Sequence, residues 1–378
     1  MFTCFATTNR GLENLLQTEI ESLGAISCVI TNAGIKFEAD LNIIMNINLH
    51  SRLASRVMLQ IAFGGYRYED DIYNISNKVK WQEWFHVGNS IKVSTTAINS
   101  PLKSLEFVTL RVKDAICDYF VNTVDARPNV NKQNPDVRIY NFLTRDTITI
   151  YLDTSGEALF KRGFRQHHLE APIKENLAAG LIKLSNWQND LPFYDPMCGS
   201  GTIVMEAVSI GLNIAPGLNR HFGFEKLEKF DLKYFAQLKQ RAEAAINYNT
   251  PLKIYASDIN YRAITLIKSN LANAKLSKYV KVSQGDFLEQ KAPEKNGILL
   301  CNPPYGIRLD EQEKLALFYP LLGNHLKQNF SGWDCYFLSN DMNLIKLIRL
   351  KVNRKIPLFN GTLDCRLFQF KMVSGFNR

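Results

Sequence analysis

Hydrophobic and polar positions follow two different rhythms along the chain, and the first rhythm fills residues 1–155. Strand-like runs rich in β-branched and aromatic residues exchange there with helical segments. FTCFATT precedes the turn Asn9-Arg10-Gly11, and leucine and isoleucine then recur at helical spacing up to Gly24. A helix begins near Asp40. Further predicted elements are strands at residues 91–97, 137–142 and 147–152 and a helix around residues 105–124. The pattern predicts an α+β region with small sheets.

The second rhythm begins after residues 156–163, where two glycines and several basic residues interrupt the pattern. Strand-like LPFYD, KIYASD, VKVSQ, GILLC and DCYFLS are then separated, for the most part, by helical segments, and residues 211–250 look like an inserted loop and helix. Residues 297–301 lack polar alternation, as expected of parallel strands that are covered on both faces. This predicts an α/β doubly wound sheet. Asn360-Gly361 between KIPLF and LDCRLFQFK predicts a closing antiparallel hairpin.

Composition places the chain among globular proteins of two or three domains. It has 378 residues, of which 46% are hydrophobic and 21% charged. No apolar run of 18 residues and no secretory leader pattern is present, so we expect no membrane span and a cytoplasmic location. The seven cysteines are widely spaced without a CxxC pair, which predicts reduced thiols and no metal site.

The positive charge is unevenly distributed. Residues 1–170 contain 18 Lys+Arg and 18 Asp+Glu, whereas the remainder contains 27 and 18 and carries the whole net charge of +9. A polyanionic partner would therefore be attracted mainly to the second half and to the junction between the halves. The charge alone also fits a generally basic protein without such a partner.

A glycine loop follows the first strand of the second half. It reads Asp195-Pro-Met-Cys198-Gly199-Ser-Gly201-Thr and lies between a strand and a helix. Glycine allows a sharp turn and lets a ligand approach the main chain, and strand ends before helix N-termini are where α/β sheets bind ligands. The loop is neither a dinucleotide fingerprint nor a P-loop. We expect Asp195, Cys198, Gly199 and Gly201 to contact a cofactor.

Acidic residues end the next two strands. Asp258 closes KIYASD, where a carboxylate can accept hydrogen bonds from both hydroxyls of a ribose; the alternative is a helix N-cap, because a helix follows. Asp286 follows VKVSQ and could accept a hydrogen bond from an adenine amino group, while Phe287 packs against the ring. An aspartate in a turn after a strand is common, so this second element is weak alone.

The decisive motif is Asn302-Pro303-Pro304-Tyr305 after the apolar strand GILLC. Two prolines fix an extended turn, so the Asn302 side chain and the Pro303 carbonyl can accept both hydrogens of one –NH2 group, and Tyr305 can stack on a planar base. An exocyclic amino nitrogen is a poor nucleophile because its lone pair is delocalised. Holding its hydrogens out of the ring plane favours attack on a sulfonium methyl group. We assign catalysis to Asn302, Pro303 and Tyr305, with Asn302 also bordering the cofactor.

Three other features have weaker interpretations. Cys198 or Cys301 could act as a nucleophile, but neither is flanked by an evident base. The basic junction around His167 and His168 fits either a phosphate contact or a solvated turn. The charged run from Lys346 to Lys355 is typical of a solvated helix face.

These motifs, in this order, resemble the THUMP-containing RNA guanine-N2 methyltransferases. DPMCGSGT, YASDIN, GDF and CNPPYG resemble their class I motifs, FATTNRGLENLLQTEIESLG their opening, FKRGFRQHHLEAPIKENLAAGLI their junction, and FNGTLDCRLFQF their final strands. The resemblance implies a ferredoxin-like region at residues 1–55, a THUMP RNA-binding domain at 56–155 and a Rossmann-like class I methyltransferase domain at 165–378. The nearest likeness is to bacterial enzymes that methylate guanine N2 in 23S rRNA.

The resemblance also implies the ligands. S-adenosyl-L-methionine is the expected cofactor, with S-adenosyl-L-homocysteine as product; Asp195, Gly199 and Gly201 would line its methionine part, Asp258 its ribose and Asp286 its adenine. The expected partner is RNA, most directly 23S rRNA, without metal or membrane, and the oligomeric state is not indicated. Open alternatives are a tRNA guanine-N2 methyltransferase, a DNA adenine-N6 methyltransferase, a glutamine-N5 protein methyltransferase and an inactive RNA-binding assembly factor.

Overall fold

The computed structural model describes residues 1–163, 173–303 and 309–373. Within them the chain forms two compact units. The first comprises Met1–Thr8, Leu16–Leu159 and Arg220–Arg241, and the second comprises Asn9–Leu15, Phe160–Asn219 and Ala242–Arg378. The main chain passes from the first unit to the second at Leu159, inside the segment where the sequence pattern is interrupted.

The first unit is built on one seven-stranded sheet. Its strands lie in the order β2-β3-β1-β4-β7-β6-β5, and all pairs are antiparallel except β5 with β6. The strands are β1 (Phe2–Thr7), β2 (Ile26–Thr31), β3 (Gly34–Ala39), β4 (Arg56–Gly65), β5 (Ile91–Ala97), β6 (Val137–Leu143) and β7 (Thr147–Asp153). The α+β class is as predicted, but the predicted small sheets are joined into one sheet, because β4 pairs with β1 on one side and with β7 on the other.

Helices cover this sheet, and their ends follow local capping chemistry. The helices are α1 (Glu13–Ser22), α2 (Leu41–His50), α3 (Glu69–Asn77) and α4 (Leu105–Val124). The side chain of Asp40 accepts a hydrogen bond from the N–H of Ile43 at 2.8 Å, which fixes the start of α2. Ser104 does the same for α4 through Phe107, and Asp125 ends that helix in the left-handed region at φ 50°.

The second unit contains the other seven-stranded sheet, in the order β10-β9-β8-β11-β12-β14-β13. Strands β8 to β12 are parallel, and β14 and β13 close the sheet as an antiparallel hairpin. The strands are β8 (Phe193–Asp195), β9 (Ile254–Asp258), β10 (Val280–Gln284), β11 (Gly297–Cys301), β12 (Trp333–Ser339), β13 (Arg354–Asn360) and β14 (Leu363–Lys371). Every residue of β11 is buried, as its unbroken apolar sequence predicts.

Five further helices accompany the strands of the second unit. They are α5 (Glu175–Leu184), α6 (Thr202–Gly211), α8 (Tyr261–Asn273), α9 (Leu309–Asn329) and α10 (Met342–Leu347). Tyr194, Phe287, Phe330 and Trp333 belong to one buried core cluster, which also includes residues of strands β11, β12 and β14. The charged run from Lys346 to Lys355 is not a helix face: α10 ends at Leu347, and β13 begins at Arg354.

A segment of the predicted insertion belongs to the first unit. Arg220–Arg241 contains the start of α7 (Leu232–Ala244) and places Phe222, Phe224 and Phe235 in one aromatic cluster. The Arg220 guanidinium donates to backbone carbonyls in the segment 155–158, including that of Ala158 at 2.8 Å. In return, Asn9–Leu15 belongs to the second unit. Neither assignment has a signal in the local hydrophobic pattern.

Candidate cofactor and target-base site

The predicted site residues come together because parallel strands end at the same edge of a sheet. From β8 the chain proceeds outward through β9 and β10, and it then returns to place β11 on the other side of β8. The strand order therefore reverses between β8 and β11, and α/β sheets bind ligands at the carboxyl ends of the strands at such a point. Asp195 ends β8, Asp258 ends β9, and Asn302 follows β11.

The glycine loop forms a tight turn between β8 and α6. The N–H of Gly201 donates to the Cys198 carbonyl at 2.8 Å, and the N–H of Cys198 donates to the Ser257 carbonyl of β9 at 3.0 Å. Gly199 has φ +54°, and no described atom lies within 4 Å of the position where a side chain would begin. Space for a ligand therefore exists directly above its main chain.

Gly201 has a different role from Gly199. Its φ is +87°, and a Cβ atom there would lie 2.5 Å from Cγ1 of Ile267 in α8. Glycine is thus required at this position for both the backbone conformation and the close packing of α8. Gly201 is also the N-cap residue of α6. Because glycine has no side chain, it provides no side-chain acceptor for the N–H groups of the first helical turn.

Two carboxylates flank the loop. Asp258 Oδ2 accepts the N–H of Gly199 at 2.9 Å, and its Oδ1 accepts the N–H of Asn260 at 2.9 Å. Asn260, rather than Asp258, is the N-cap of α8. A carboxylate has about four acceptor positions, so Asp258 retains capacity for the hydroxyls of a ribose.

Asp195 is buried, with 1% of its surface exposed. One oxygen, Oδ1, accepts the N–H of Met197 at 3.3 Å. Burial raises the pKa of Asp195 well above its ordinary value, and the nearby charge of Asp258 raises it further. A cationic ligand group beside Asp195 would relieve this electrostatic cost, which suits the ammonium of an amino-acid moiety.

The third acidic motif departs from its expected geometry. Asp286 is half-buried and caps a short 3-10 helix, Phe287–Glu289, by accepting the N–H of Leu288 at 2.9 Å. Phe287 is 3% exposed, and its ring packs against His325 and Phe330 at centroid distances of 5.1 and 5.2 Å. Its ring therefore belongs to the core, whereas we expected it to lie against an adenine ring.

Asn302 holds an unused acceptor. Its Oδ1 is buried, yet no donor lies within hydrogen-bond distance among the described residues. Such an atom costs free energy in the absence of a ligand, and it lies where the motif predicts the amino group of the target. Pro303 is buried next to it. Pro304 and Tyr305 lie outside the described residues.

The two cysteines near the site are unsuited to nucleophilic attack. Burial raises the pKa of the Cys198 thiol, and the carboxylates of Asp195 and Asp258 raise it further. Burial also raises the pKa of Cys301 well above its ordinary value, with Asp195 and Cys335 adding to the effect. Since the thiolate is the reactive species, these protonated thiols act as small packing groups.

Several supporting residues have little signal in the sequence. Ser257 Oγ lies 2.7 Å from the Tyr194 hydroxyl and donates to the Pro196 carbonyl at 3.3 Å, which ties the ends of β8 and β9 together. Asn270 is 1% exposed and donates to the Ser200 carbonyl at 3.0 Å. Asn270 could have been found, because it is a polar residue within the apolar stripe of α8 beside Ile267 and Leu271.

One arginine of the basic junction has a structural contact. Arg162 forms a buried ion pair with Glu206 at 3.3 Å, so it does not face a phosphate. His167 and His168 lie outside the described residues.

Within the described ranges, no group of three or more His, Cys, Asp or Glu side chains is placed to hold a metal ion. No described helix combines the length and apolar character needed to cross a bilayer.

Three family models match successive parts of the chain. The RlmL ferredoxin-like domain matches residues 3–58, the THUMP domain matches residues 66–153, and the RMKL-like methyltransferase domain matches residues 162–369. The first and third matches include Asn9–Leu15 and Arg220–Arg241 respectively, the segments that each belong to the other compact unit.

Solved structures extend the likeness over the whole chain. SMU.472, described as a methyltransferase and solved in complex with SAH, is 30% identical, with 100% of this chain and 99% of that chain covered and a TM-score of 0.90. A protein from Clostridium difficile 630, described as a methylase, is 31% identical with 100% of both chains covered and a TM-score of 0.90.

A third structure carries a different substrate in its description. It is a protein from Listeria monocytogenes described as an N6-adenine-specific DNA methylase, 31% identical, with 98% of this chain and 96% of that chain covered and a TM-score of 0.89. The matches, the glycine loop and the strand-end acidic residues agree with the resemblance seen in the sequence. The chain belongs to the RMKL-like methyltransferase family and combines its catalytic domain with THUMP and RlmL ferredoxin-like domains.

Proposed function

We propose that this enzyme methylates the exocyclic N2 amino group of a guanine in RNA, with 23S ribosomal RNA as the substrate. The observation that carries the proposal is the Oδ1 of Asn302 at the carboxyl end of β11, which is buried and has no hydrogen-bond partner among the described residues. A fixed acceptor at this place recognises a donor on the target, and an exocyclic –NH2 group supplies such donors.

The cofactor assigned to the other side of the site is S-adenosylmethionine, whose sulfonium supplies an electrophilic methyl group. The relative SMU.472 was solved with SAH, and the described residues fit such a ligand. Gly199 leaves the main chain open, and Asp258 retains acceptor capacity. Asp195 is a buried carboxylate that a cationic amino group would stabilise. We assign the methionine part to Asp195, Gly199 and Gly201, the ribose to Asp258 and the adenine side to Asp286. Cys198, in the same loop, is also assigned to the cofactor.

Asn302 and Pro303 act on the target amino group in this proposal. The Asn302 Oδ1 and the Pro303 carbonyl accept its two hydrogens, so that the nitrogen lone pair leaves conjugation with the ring. The same acceptors stabilise positive charge that develops on the nitrogen during transfer. Tyr305 is assigned the stacking of the base, which would have to leave its helix or come from a loop.

RNA is favoured over DNA and protein by the domains that precede the catalytic one. The sequence resemblance implies that the THUMP domain binds RNA, and the THUMP match covers residues 66–153. The narrower assignment to 23S rRNA and to guanine N2 follows from the sequence resemblance, and the match of residues 3–58 to an RlmL ferredoxin-like domain agrees with that resemblance. A tRNA guanine is the nearest alternative substrate.

The test is methyl transfer from labelled S-adenosylmethionine to separated 23S rRNA, 16S rRNA, tRNA, DNA and protein, followed by mass spectrometry of the digested nucleosides. We expect N2-methylguanosine in 23S rRNA that lacks the modification beforehand. Label in tRNA alone would shift the substrate but keep the chemistry. Label confined to protein, or in a pyrimidine carbon, would refute the assignment.

DNA adenine-N6 methylation is the second candidate, and one observation favours it. The Listeria relative is described as an N6-adenine-specific DNA methylase, and the Asn302 acceptor serves an adenine amino group equally well. The same experiment separates the two, because this candidate requires N6-methyladenine in DNA and no label in RNA.

A further inference from the structure

The turn Asn9-Arg10-Gly11 lies in the second unit and is fixed to strand β13. The N–H of Phe359 donates to the Arg10 carbonyl at 3.0 Å. Gly11 has φ +93°, and a Cβ there would lie 2.5 Å from the Pro357 carbonyl oxygen. Only glycine permits so close an approach, so the position of Arg10 on the hairpin is closely determined.

A second contact holds the turn from the other side. Leu12 is fully buried, and a side chain at Gly180 of α5 would meet it at 2.6 Å. Asn176 of α5 also donates to Asn9 Oδ1 at 3.5 Å. The turn is thus fixed to both α5 and β13.

The guanidinium of Arg10 is held in place but keeps its donors available. Its central carbon lies 4.0 Å from the centroid of the Phe359 ring, and the residue is exposed. The group makes no hydrogen bond to any described residue. An exposed arginine ordinarily loses much side-chain conformational entropy when it is fixed. Stacking on Phe359 meets part of that cost before a ligand arrives.

A second arginine lies on the same hairpin. Arg366 pairs with Asp364 through both of its terminal nitrogens, one of them at 3.1 Å, and Asp364 is the register partner of Phe359. The Arg366 hydrogen bond lowers the pKa of Asp364, and the charges of Arg366, Arg10 and Lys355 lower it further. The charges of three cations therefore act on one carboxylate, and together the four groups have a net positive charge.

The strand register places this cluster toward the same edge of the sheet as the target-base site, three strands away. Cys301 pairs with Phe337, so Pro303 is level with Ser339; Ser339 pairs with Arg366, and Arg366 pairs with Pro357. Three strand spacings give about 14 Å from β11 to β13, and Phe359 lies about 7 Å farther along the strand. The separation from Pro303 is therefore about 16 Å, which a few nucleotides span at about 3.4 Å per stacked step.

We propose that Arg10, assisted by the charge of Arg366, forms a phosphate-binding site that holds the nucleic-acid strand a few nucleotides from the target base. The inference rests on the proposed function for its ligand. Guanidinium groups match phosphate oxygens with paired N–H donors, and such contacts fix the register of a strand without reading its sequence. Through Arg10, a turn of the ferredoxin-like match contributes to the catalytic unit's own substrate surface.

The test compares three variants of the full chain. Arg10→Ala removes the stacked cation, Arg10→Lys keeps the charge without the planar donors, and Arg354→Ala is the matched control. Arg354 is an exposed arginine of the same strand, β13, but it pairs with Gln369 at the opposite edge of the sheet. A labelled single-stranded oligoribonucleotide is the probe, titrated at several salt concentrations, with SAH affinity and thermal stability measured in parallel.

We expect Arg10→Ala to weaken RNA binding about fivefold to tenfold at low salt, and to reduce the slope of log affinity against log salt by about 0.7. Arg10→Lys should restore most of the slope but only part of the affinity. Arg354→Ala should fall within about twofold of wild type. For all three variants, SAH affinity should remain within about twofold of wild type.

Two results would overturn the inference: unchanged RNA affinity in Arg10→Ala, or an equal loss in Arg354→Ala, which would indicate unspecific charge. If Arg10 instead binds an acidic protein partner, RNA affinity should be unchanged in Arg10→Ala. The proposed function fails separately. If wild-type enzyme methylates DNA instead of RNA, the same titration with a single-stranded oligodeoxyribonucleotide should still show the Arg10 effect.

Discussion

Both sheets have seven strands, but they differ in whether polar side chains at the strand ends come together at one edge. In the second sheet, five parallel strands end at one edge, and Asp195, Asp258 and Asn302 meet there. In the first sheet nearly all neighbours are antiparallel, so successive strand ends point to opposite edges. A parallel sheet thus gathers residues that are distant in sequence, whereas an antiparallel sheet distributes them between two edges.

A pair of buried asparagines makes the comparison concrete. Asn141 lies within β6 of the first sheet, donates to Thr95 Oγ1 at 3.1 Å and is 1% exposed. Asn302 lies just beyond β11 of the second sheet. Each has a buried Oδ1 without a partner among the described residues. Asn141 is enclosed between paired strands, while Asn302 is at the ligand-binding edge, so the same orphaned atom has structural meaning in one and chemical meaning in the other.

The largest effect is expected when each of the two asparagines is replaced in its own variant. Asn302→Ala should lower turnover by about a hundredfold to a thousandfold, because it removes an acceptor that stabilises the transition state, with cofactor affinity largely retained. Asn141→Ala, the matched control, should lower thermal stability but leave turnover per folded molecule unchanged. Single-turnover methyl transfer and SAH calorimetry measure these effects. Equal turnover in wild type and Asn302→Ala would refute the amino-group mechanism.

The next test concerns the cofactor side of the same edge. Asp258→Ala should weaken S-adenosylmethionine binding about tenfold to a hundredfold, as expected for losing charge-assisted hydrogen bonds of about 1.5–3 kcal/mol. Turnover at saturating cofactor should fall much less. The measurement is calorimetric titration with SAH and methyl transfer across cofactor concentrations. An unchanged dissociation constant would separate Asp258 from the ribose.

The two glycines of the loop should differ in what they lose. Gly201→Ala should lower the free energy of unfolding by about 2–4 kcal/mol, since its Cβ would collide with Ile267 and its φ is positive. Gly199→Ala meets open space, so it should cost only about 1 kcal/mol while weakening cofactor binding. Denaturant unfolding and SAH titration of both variants provide the comparison. Equal destabilisation by the two substitutions would contradict the assigned roles.

The smallest expected effect is a gain in stability. The pKa of Asp195 is raised in the folded protein. The carboxyl therefore does not lower the free energy of unfolding below its unfolded pKa of about 3.9. The loss of stability grows as pH rises from there to the folded value. Asp195→Asn should therefore raise the free energy of unfolding at pH 8 without cofactor, and should change it by almost nothing at pH 4. Cofactor binding should weaken.

Thermal unfolding of wild type and Asp195→Asn between pH 4 and pH 8 measures this difference. A stability difference that is constant with pH would show that the carboxyl does not titrate in this range. A wild type that gains on the variant as pH rises would reverse the sign and place a cation beside Asp195 in the free protein.

The sequence was sufficient wherever the signal is local. Apolar runs located β11 and its parallel neighbours, Asp40 located the start of α2, and Asn360-Gly361 located the closing hairpin. The family resemblance was confirmed by the three matching domains. These features depend on contacts between residues close in the chain, or on ordered motifs, and both are legible without coordinates.

Features that depend on distant contacts were not predicted. The joining of all N-terminal strands into one sheet depends on β4 pairing with β7, about ninety residues away. The burial of Phe287 depends on α9 and on Phe330. The buried ion pair of Arg162 depends on Glu206. Nothing in the local periodicity specifies these partners, because side-chain spacing sets which face is apolar but not which surface covers it.

By itself, then, the sequence determined the methyltransferase motifs, their order and the α/β class of the domain that carries them. Only the tertiary structure decided that Gly199 is open while Gly201 is packed, that Asn302 has a buried acceptor with no partner in the described part of the chain, and that Arg10 stacks on Phe359. The physical reason is that a motif fixes the chemistry of its side chains, whereas burial, pKa and available hydrogen bonds depend on neighbours that the fold supplies from distant parts of the chain.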